Sequence, residues 1–316
     1  MTERSLLKFS GVIPPVVTPL LADDQLDTQA VGVIVNHLIR GGVHGLFVLG
    51  TTGEGPSLNY QIRYEMVERT CDESRGRVPV LVGVTDTSLS ESLALAEHAA
   101  SCGAAAIVAA APFYFDVPQS ALVDWFRRLA DESPLPLMLY NMPSCVGVVL
   151  DLDSVAALSG HPNIVGIKDS GGDMEYFGRL VDEYAGRNDF VVFIGPEERL
   201  AEAVTLGAAG GVCGGANLLP QIYCDLYQAA RNSSESEVAK LMQVVNGVFD
   251  GIYRNDAGRI VPIPGLKYAL SQCGLCTAAV APPLPTVTPD HAARIRQALR
   301  TLPIPSEFLA AAAAMN

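Results

Sequence analysis

Four lysines occur in this 316-residue chain: Lys8, Lys168, Lys240 and Lys267. Only Lys168 directly ends an apolar run, Ile164-Val165-Gly166-Ile167. A free primary amine is almost entirely protonated at neutral pH and has no lone pair to offer a carbonyl. Burial penalises the ammonium form, and a buried amine becomes a nucleophile that forms Schiff bases with carbonyl substrates. The plainer use of such a residue is an ion pair with its neighbour Asp169. Taken from the strand alone, the two uses stand level.

Imine chemistry also needs groups that move protons to and from the carbinolamine oxygen. Tyr140, in Tyr140-Asn141, and Tyr114, in Phe113-Tyr114-Phe115, supply phenols for that work, although a lone tyrosine is more often an amphipathic rim residue. Gly50-Thr51-Thr52-Gly53-Glu54-Gly55 can cradle a small carboxylate with backbone N–H groups and two hydroxyls. It lacks the Gly-Lys-Ser/Thr of a phosphate-binding P-loop and does not fit Gly-x-Gly-x-x-Gly. Glu197-Glu198 is either an acidic pair for substrate hydroxyls or a pair favoured by a helix N-terminus.

These residues need a frame that brings them together. Eight short apolar runs with little alternation read as buried parallel strands: 11–18, 44–50, 78–84, 105–111, 135–140, 164–168, 190–195 and 210–215. Between them lie amphipathic segments at 26–40, 59–75, 88–102, 118–131, 151–158, 173–184 and 197–206. Eight such units predict a (β/α)8 TIM barrel, with an open doubly wound sheet as the alternative. After Asn217 only helices are expected, at 219–231, 235–253, 266–272 and 290–300, ending in a low-complexity Ala310–Met315 stretch. The division is therefore 1–217, the barrel, and 218–316, a barrel-closing and C-terminal helical region. In a barrel the strand C-terminal ends form the active face. Thr51, Thr52, Tyr114, Tyr140, Lys168, Glu197 and Glu198 all follow such ends.

Composition excludes other classes. A net charge of −13 argues against nucleic acid or an anionic membrane surface as partner. No apolar run approaches the ~20 residues of a membrane span, and Met1–Gly11 lacks the apolar stretch of a secretory leader. Seven scattered cysteines suit a reducing cytoplasm. Cys273-Gly274-Leu275-Cys276 is a lone pair of thiols without a second pair. The five histidines, His37, His44, His98, His161 and His291, show no metal-ligand spacing, so neither a metal nor a cofactor is expected.

Three motifs together, Gly50-Thr51-Thr52-Gly53-Glu54, Tyr140-Asn141-x-Pro143 and Gly166-Ile167-Lys168-Asp169, resemble the dihydrodipicolinate synthase / N-acetylneuraminate lyase superfamily over almost the whole chain. The 28 residues from Tyr140 to Lys168 match as well. The resemblance implies that Lys168 forms an imine with pyruvate or another 2-oxo acid. It implies Tyr140 as acid/base and Thr51 with Thr52 as holders of the carboxylate. Tyr114 matches a tyrosine that enters a neighbouring subunit's site and joins Thr51 and Tyr140 in a proton relay. Gly195 and Val212 match positions lining the pyruvate pocket. A homotetramer, built as a dimer of dimers, is implied too.

Cys145 stands where synthases of dihydrodipicolinate carry a carboxylate-binding arginine, and a thiol cannot replace a bidentate guanidinium. Glu197-Glu198 resembles the acidic pair of the sialic acid lyases, yet Gly214 replaces their serine. The 161–173 stretch resembles 4-hydroxy-2-oxoglutarate aldolase. The expectation is a class I aldolase or lyase with pyruvate as one partner, acting on a 4-hydroxy-2-oxoglutarate, 2-keto-3-deoxy sugar acid or N-acetylneuraminate-like substrate. Alternatives are dehydration of a 2-keto-3-deoxy sugar acid through the same imine, dihydrodipicolinate synthesis, and a non-catalytic ligand-binding paralogue.

Overall fold

The computed structural model describes residues 9–22 and 24–305; Lys8 and the Ala310–Met315 stretch lie outside them. Ten strands are formed among these residues. In chain order they are β1 (Gly11–Val12), β2 (Leu20–Ala22), β3 (Gln25–Leu26), β4 (Leu46–Val48), β5 (Val80–Gly83), β6 (Ala106–Ala110), β7 (Leu137–Asn141), β8 (Ile164–Asp169), β9 (Val191–Ile194) and β10 (Gly210–Gly211). Eight are parallel and run β1-β10-β9-β8-β7-β6-β5-β4. The ring closes between β1 and β4. His44 N donates to Val12 O at 2.8 Å, Phe47 N to Pro14 O at 3.0 Å, and Val16 N to Phe47 O at 2.8 Å.

All eight expected runs form strands in a (β/α)8 barrel, most of them shorter than the apolar runs that announce them. Pro14 and Pro15 have no N–H to donate, so β1 ends at Val12 although the chain stays extended beyond it. At β10 the chain turns into a 3-10 helix over Gly214–Asn217. Gly210 is required there: a Cβ would lie 1.9 Å from Gly11 O on the neighbouring strand.

Strand alternation sorts the side chains into two cores. Ile13, Phe47, Leu81, Val108, Met138 and Phe193 fill the barrel interior. A larger cluster, including Val48, Ile107, Leu139 and Ile167, lies between the strands and the helices.

The helices start where polar caps satisfy their first N–H groups. Asn59, Ser88 and Asp151 accept from the N–H groups of Ile62, Glu91 and Ser154 at 2.9, 3.4 and 2.7 Å. Asp27 caps Ala30 N at 3.0 Å, so that helix runs Thr28–Arg40 and not from Leu26. Leu26 belongs instead to the β2–β3 hairpin, whose two short arms carry no readable periodicity.

After β10 come the helices Pro220–Arg231, Glu235–Val248, Pro262–Gln272 and Pro289–Thr301. The helix expected over 235–253 changes at Val248 into a π-helical turn, Phe249–Tyr253. Among the described residues no helix is long and apolar enough to cross a membrane, and no group of three or more acidic, histidine or cysteine residues is placed to hold a metal ion.

Candidate active site

Lys168 and Tyr140 are register partners on β8 and β7, as are the next residues, Asp169 and Asn141. Alternation sends the first pair into the barrel and the second pair outward. Outside, Asn141 Nδ2 donates to Asp169 Oδ1 at 2.7 Å, and Asn141 Oδ1 accepts from Leu150 N at 3.1 Å. Burial raises the Asp169 carboxyl above its ordinary range, against the hydrogen bonds from Asn141 and Gly171. Lys168 is not its ion-pair partner, so the plainer reading of Lys168 is set aside. The Asn and Asp of the two motifs lock the strand ends whose other residues face the cavity.

Inside, Lys168 is 4% exposed and its Nζ sits 4.0 Å from the Tyr140 ring centroid and 5.1 Å from that of Phe47. The two rings meet edge to face, with centroids 6.5 Å apart. Tyr140 Oη is 3.1 Å from Thr51 Oγ1, an arrangement in which either hydroxyl can donate.

Thr51 and Thr52 lie in a loop bracketed by two non-glycine residues in left-handed backbone, Leu49 (φ 59°) and Glu54 (φ 60°). That conformation costs roughly 1–2 kcal/mol per residue. Glu54 N closes the loop onto Thr51 O at 3.0 Å, and Gly55 N onto Gly50 O at 3.2 Å. Gly55 has no room for a side chain, since a Cβ would lie 2.1 Å from Leu49 O.

Lys168, Tyr140, Thr51, Thr52, Gly195, Val212, Glu197 and Glu198 all line one cavity of about 250 Å³. Glu197 is not a free carboxylate there. It accepts from Gly215 N and from Tyr223 Oη, both at 2.7 Å. Its burial raises the carboxyl above its ordinary range despite those bonds. The buried Tyr253 hydroxyl lies beside the same carboxylate but makes no hydrogen bond of good geometry with it. Glu198 is exposed, at the cavity's edge.

Tyr114 is the expected residue that the fold does not bring in. It is 78% exposed beside Phe115, at 77%, and lines neither this cavity nor its neighbour. Within one chain the convergence of two tyrosines therefore fails. The neighbouring cavity, about 270 Å³, shares Thr51, Tyr140 and Met142 with the first and is walled by Phe47, Leu49, Phe113 and Cys145.

Sequence reasoning missed the roof of the first cavity. Phe249 and Tyr253, in the π-helical turn, and Ile260, Pro262 and Leu266 after it come from the C-terminal region. For Phe249, Tyr253 and Leu266 the only sequence signal is apolar spacing that suits an ordinary helix, and Ile260 and Pro262 fall between the expected helices. Ser170, two residues after the motif lysine, also lines the cavity. Gly195 is forced by it: a Cβ there would lie 1.9 Å from Ser170 Oγ.

Comparisons with known proteins agree with this geometry. Residues 8–302 match the Dihydrodipicolinate synthetase family. The probable 2-dehydro-3-deoxy-D-pentonate aldolase YjhH of Escherichia coli is 36% identical over 236 residues, 74% of this chain and 78% of that protein. The putative 2-dehydro-3-deoxy-D-gluconate aldolase YagE of the same organism is 32% identical over 297 residues, 93% and 97% of the two chains. Among solved structures, a dihydrodipicolinate synthase of Bacteroides thetaiotaomicron superposes with a TM-score of 0.90 at 43% identity, covering 95% of this chain and all of that one. The protein belongs to the Dihydrodipicolinate synthetase family and is a lyase of the superfamily of class I pyruvate-dependent aldolases.

Proposed function

We propose that the protein cleaves, or forms, a 2-keto-3-deoxy sugar acid with pyruvate as one product or substrate, through an imine on Lys168. The observation that carries this reading is the single cavity holding the buried Lys168 amine, the Tyr140–Thr51 hydroxyl pair and Thr52. The Lys168 amine attacks the substrate's C2 carbonyl, and loss of water from the carbinolamine gives the imine. Tyr140 supplies the proton for the departing oxygen, and the Thr51 hydroxyl at 3.1 Å can donate to the phenolate that remains. In the cleavage direction the Tyr140 phenolate left by that transfer takes the proton of the substrate's C4 hydroxyl, the C3–C4 bond breaks and its electrons pass into the imine as an enamine. The aldehyde leaves, Tyr140 gives the proton it took to C3 of the enamine, and water adds to C2 to release pyruvate and restore the Lys168 amine. Thr51 and Thr52 hold the carboxylate next to C2, and Gly195 and Val212 line that end.

Sugar acids are favoured over dihydrodipicolinate synthesis by Cys145, an exposed thiol that cannot bind an aldehyde's carboxylate as a guanidinium does. YjhH and YagE, named for 2-keto-3-deoxy sugar acids, are consistent with that choice. Glu198, at the cavity edge, is the group we assign to a substrate hydroxyl. Glu197 supports the wall.

The exposed Tyr114 and Phe115 fit a homotetramer in which Tyr114 completes a neighbouring subunit's relay. The seven thiols fit the cytoplasm as its compartment.

The test is incubation with pyruvate and borohydride, followed by peptide mass analysis. A stable adduct is expected on the peptide carrying Lys168, and its absence rejects the reading. Side-by-side assay of 2-keto-3-deoxygluconate, 2-keto-3-deoxypentonate, 4-hydroxy-2-oxoglutarate and N-acetylneuraminate then ranks the substrates. Pyruvate release marks cleavage, and a retained carbon skeleton marks dehydration.

A further inference from the structure

Of the four lysines, Lys267 is as deeply buried as any residue in the molecule, although the mechanism has no use for it. It sits on the C-terminal helix Pro262–Gln272 and is wholly shielded from solvent. Its Nζ donates to Glu54 Oε1 at 2.6 Å and to Thr18 O at 2.8 Å. The other carboxylate oxygen, Glu54 Oε2, accepts from Ala281 N at 2.6 Å. Thr18 is itself buried, and its hydroxyl donates to Gly53 O at 2.7 Å. Both oxygens of Glu54 and the carbonyl of Gly53 are thus held by groups outside their own loop.

Those two residues form one end of the loop that carries Thr51 and Thr52. Glu54 is also one of the two left-handed, non-glycine residues that bracket it. A strained backbone persists only where the surroundings over-determine it, and such strain gathers at sites where position matters. Stability alone is a poor reason for this ion pair. Replacing a buried pair with apolar residues of similar volume is often neutral or stabilising, because desolvation offsets the Coulomb gain. What an apolar pair lacks is direction: a charged hydrogen bond fixes a carboxylate in orientation as well as place.

We propose that Glu54 and Lys267 are positioning residues, a buried clamp by which the C-terminal region sets the Thr51–Thr52 loop for the carboxylate of the bound 2-oxo acid. This inference rests on the reading that those threonines hold that carboxylate opposite Lys168. Neither clamp residue lines the lysine cavity, so the effect passes through the loop.

The double variant Glu54→Met/Lys267→Met removes both charges and keeps the volume. Thr18→Val removes only the hydrogen bond to Gly53 O. Each is compared with the wild type for thermal midpoint and for borohydride trapping of pyruvate on Lys168 across a pyruvate series. The expected result for the double variant is a preserved thermal midpoint and a half-saturating pyruvate concentration raised about tenfold to a hundredfold. Its trapping rate at saturation should change far less, the split expected when substrate positioning is lost. Thr18→Val should move the same way by a smaller factor. Wild-type half-saturation in a folded double variant overturns the clamp. If the double variant fails to fold, Thr18→Val decides alone, and an unchanged half-saturation there overturns it. Absence of a wild-type adduct removes the underlying reading and the clamp together.

Discussion

Tyr140 and Lys168 are register partners on adjacent parallel strands, and the lysine Nζ rests 4.0 Å from the centroid of the tyrosine ring. The same phenol reaches Thr51 Oγ1 at 3.1 Å. One side chain therefore supplies two things: a face against which the lysine amine lies, and a hydroxyl in contact with a second hydroxyl. The two can be separated by mutation.

Tyr140→Phe keeps the ring and removes the hydroxyl. Turnover should fall by about 10²–10⁴, the usual worth of a placed general acid or base. The circular dichroism spectrum and thermal midpoint should not move. A variant that turns over at the wild-type rate refutes the proton role.

Thr51 has a hydroxyl that touches Tyr140 and a place in the loop facing Lys168. Thr51→Val keeps the shape without the hydroxyl, and Thr51→Ser keeps the hydroxyl without the methyl. Steady-state kinetics should show the valine variant losing kcat and gaining KM for the 2-oxo acid, with serine close to wild type. Equal losses in both variants would point to packing.

Glu197 gives a pH-dependent prediction about stability. Burial raises its carboxyl above the ordinary 4.5 of a glutamate in water. Below 4.5 both the folded and the unfolded chain hold that proton, and its contribution is fully present. As pH rises the unfolded chain releases the proton first, so this contribution declines until the folded-state carboxyl has ionised as well. Glu197→Gln has no proton to lose and can still accept from Tyr223 Oη. Its thermal midpoint should gain on the wild type as pH rises from 4.5, measured by thermal melts across pH. A difference that is flat with pH, or shrinks, contradicts the assignment.

Tyr114 lies outside its own chain's cavity, and its role as proposed requires a second subunit. Tyr114→Phe and Lys168→Ala should each be nearly inactive alone and keep their thermal midpoints. Co-refolding the two should restore part of the activity, because some sites would then combine an intact lysine with an intact tyrosine. Light scattering should give the mass of four chains. No recovery on mixing, or an active monomer, removes the shared-site role.

Much of this protein was legible as sequence. The eight apolar runs announced the barrel because parallel strands buried on both faces must be apolar throughout. The same runs placed Lys168, Tyr140, Thr51 and Thr52 on one face, since each follows a strand's C-terminal end. Strand ends were less legible. Pro14 and Pro15 cut β1 short although the apolar run goes on, and the β2–β3 hairpin is too brief to show a period.

Contacts between distant segments could not be read at all. The π-helical turn that brings Phe249 and Tyr253 over the cavity looks, in one dimension, like the end of an ordinary amphipathic helix. Glu197 reads as an acidic rim residue until Tyr223 and Gly215 are found holding it inside. Lys267 and Glu54 lie 213 positions apart and carry no pattern linking them. The local order of apolar and polar residues determined which strands form and which side chains sit at their ends, because pleat and helix periods are set by the backbone. Which of those side chains are desolvated, paired or left facing a substrate was decided only when the barrel closed and the C-terminal helices packed across it.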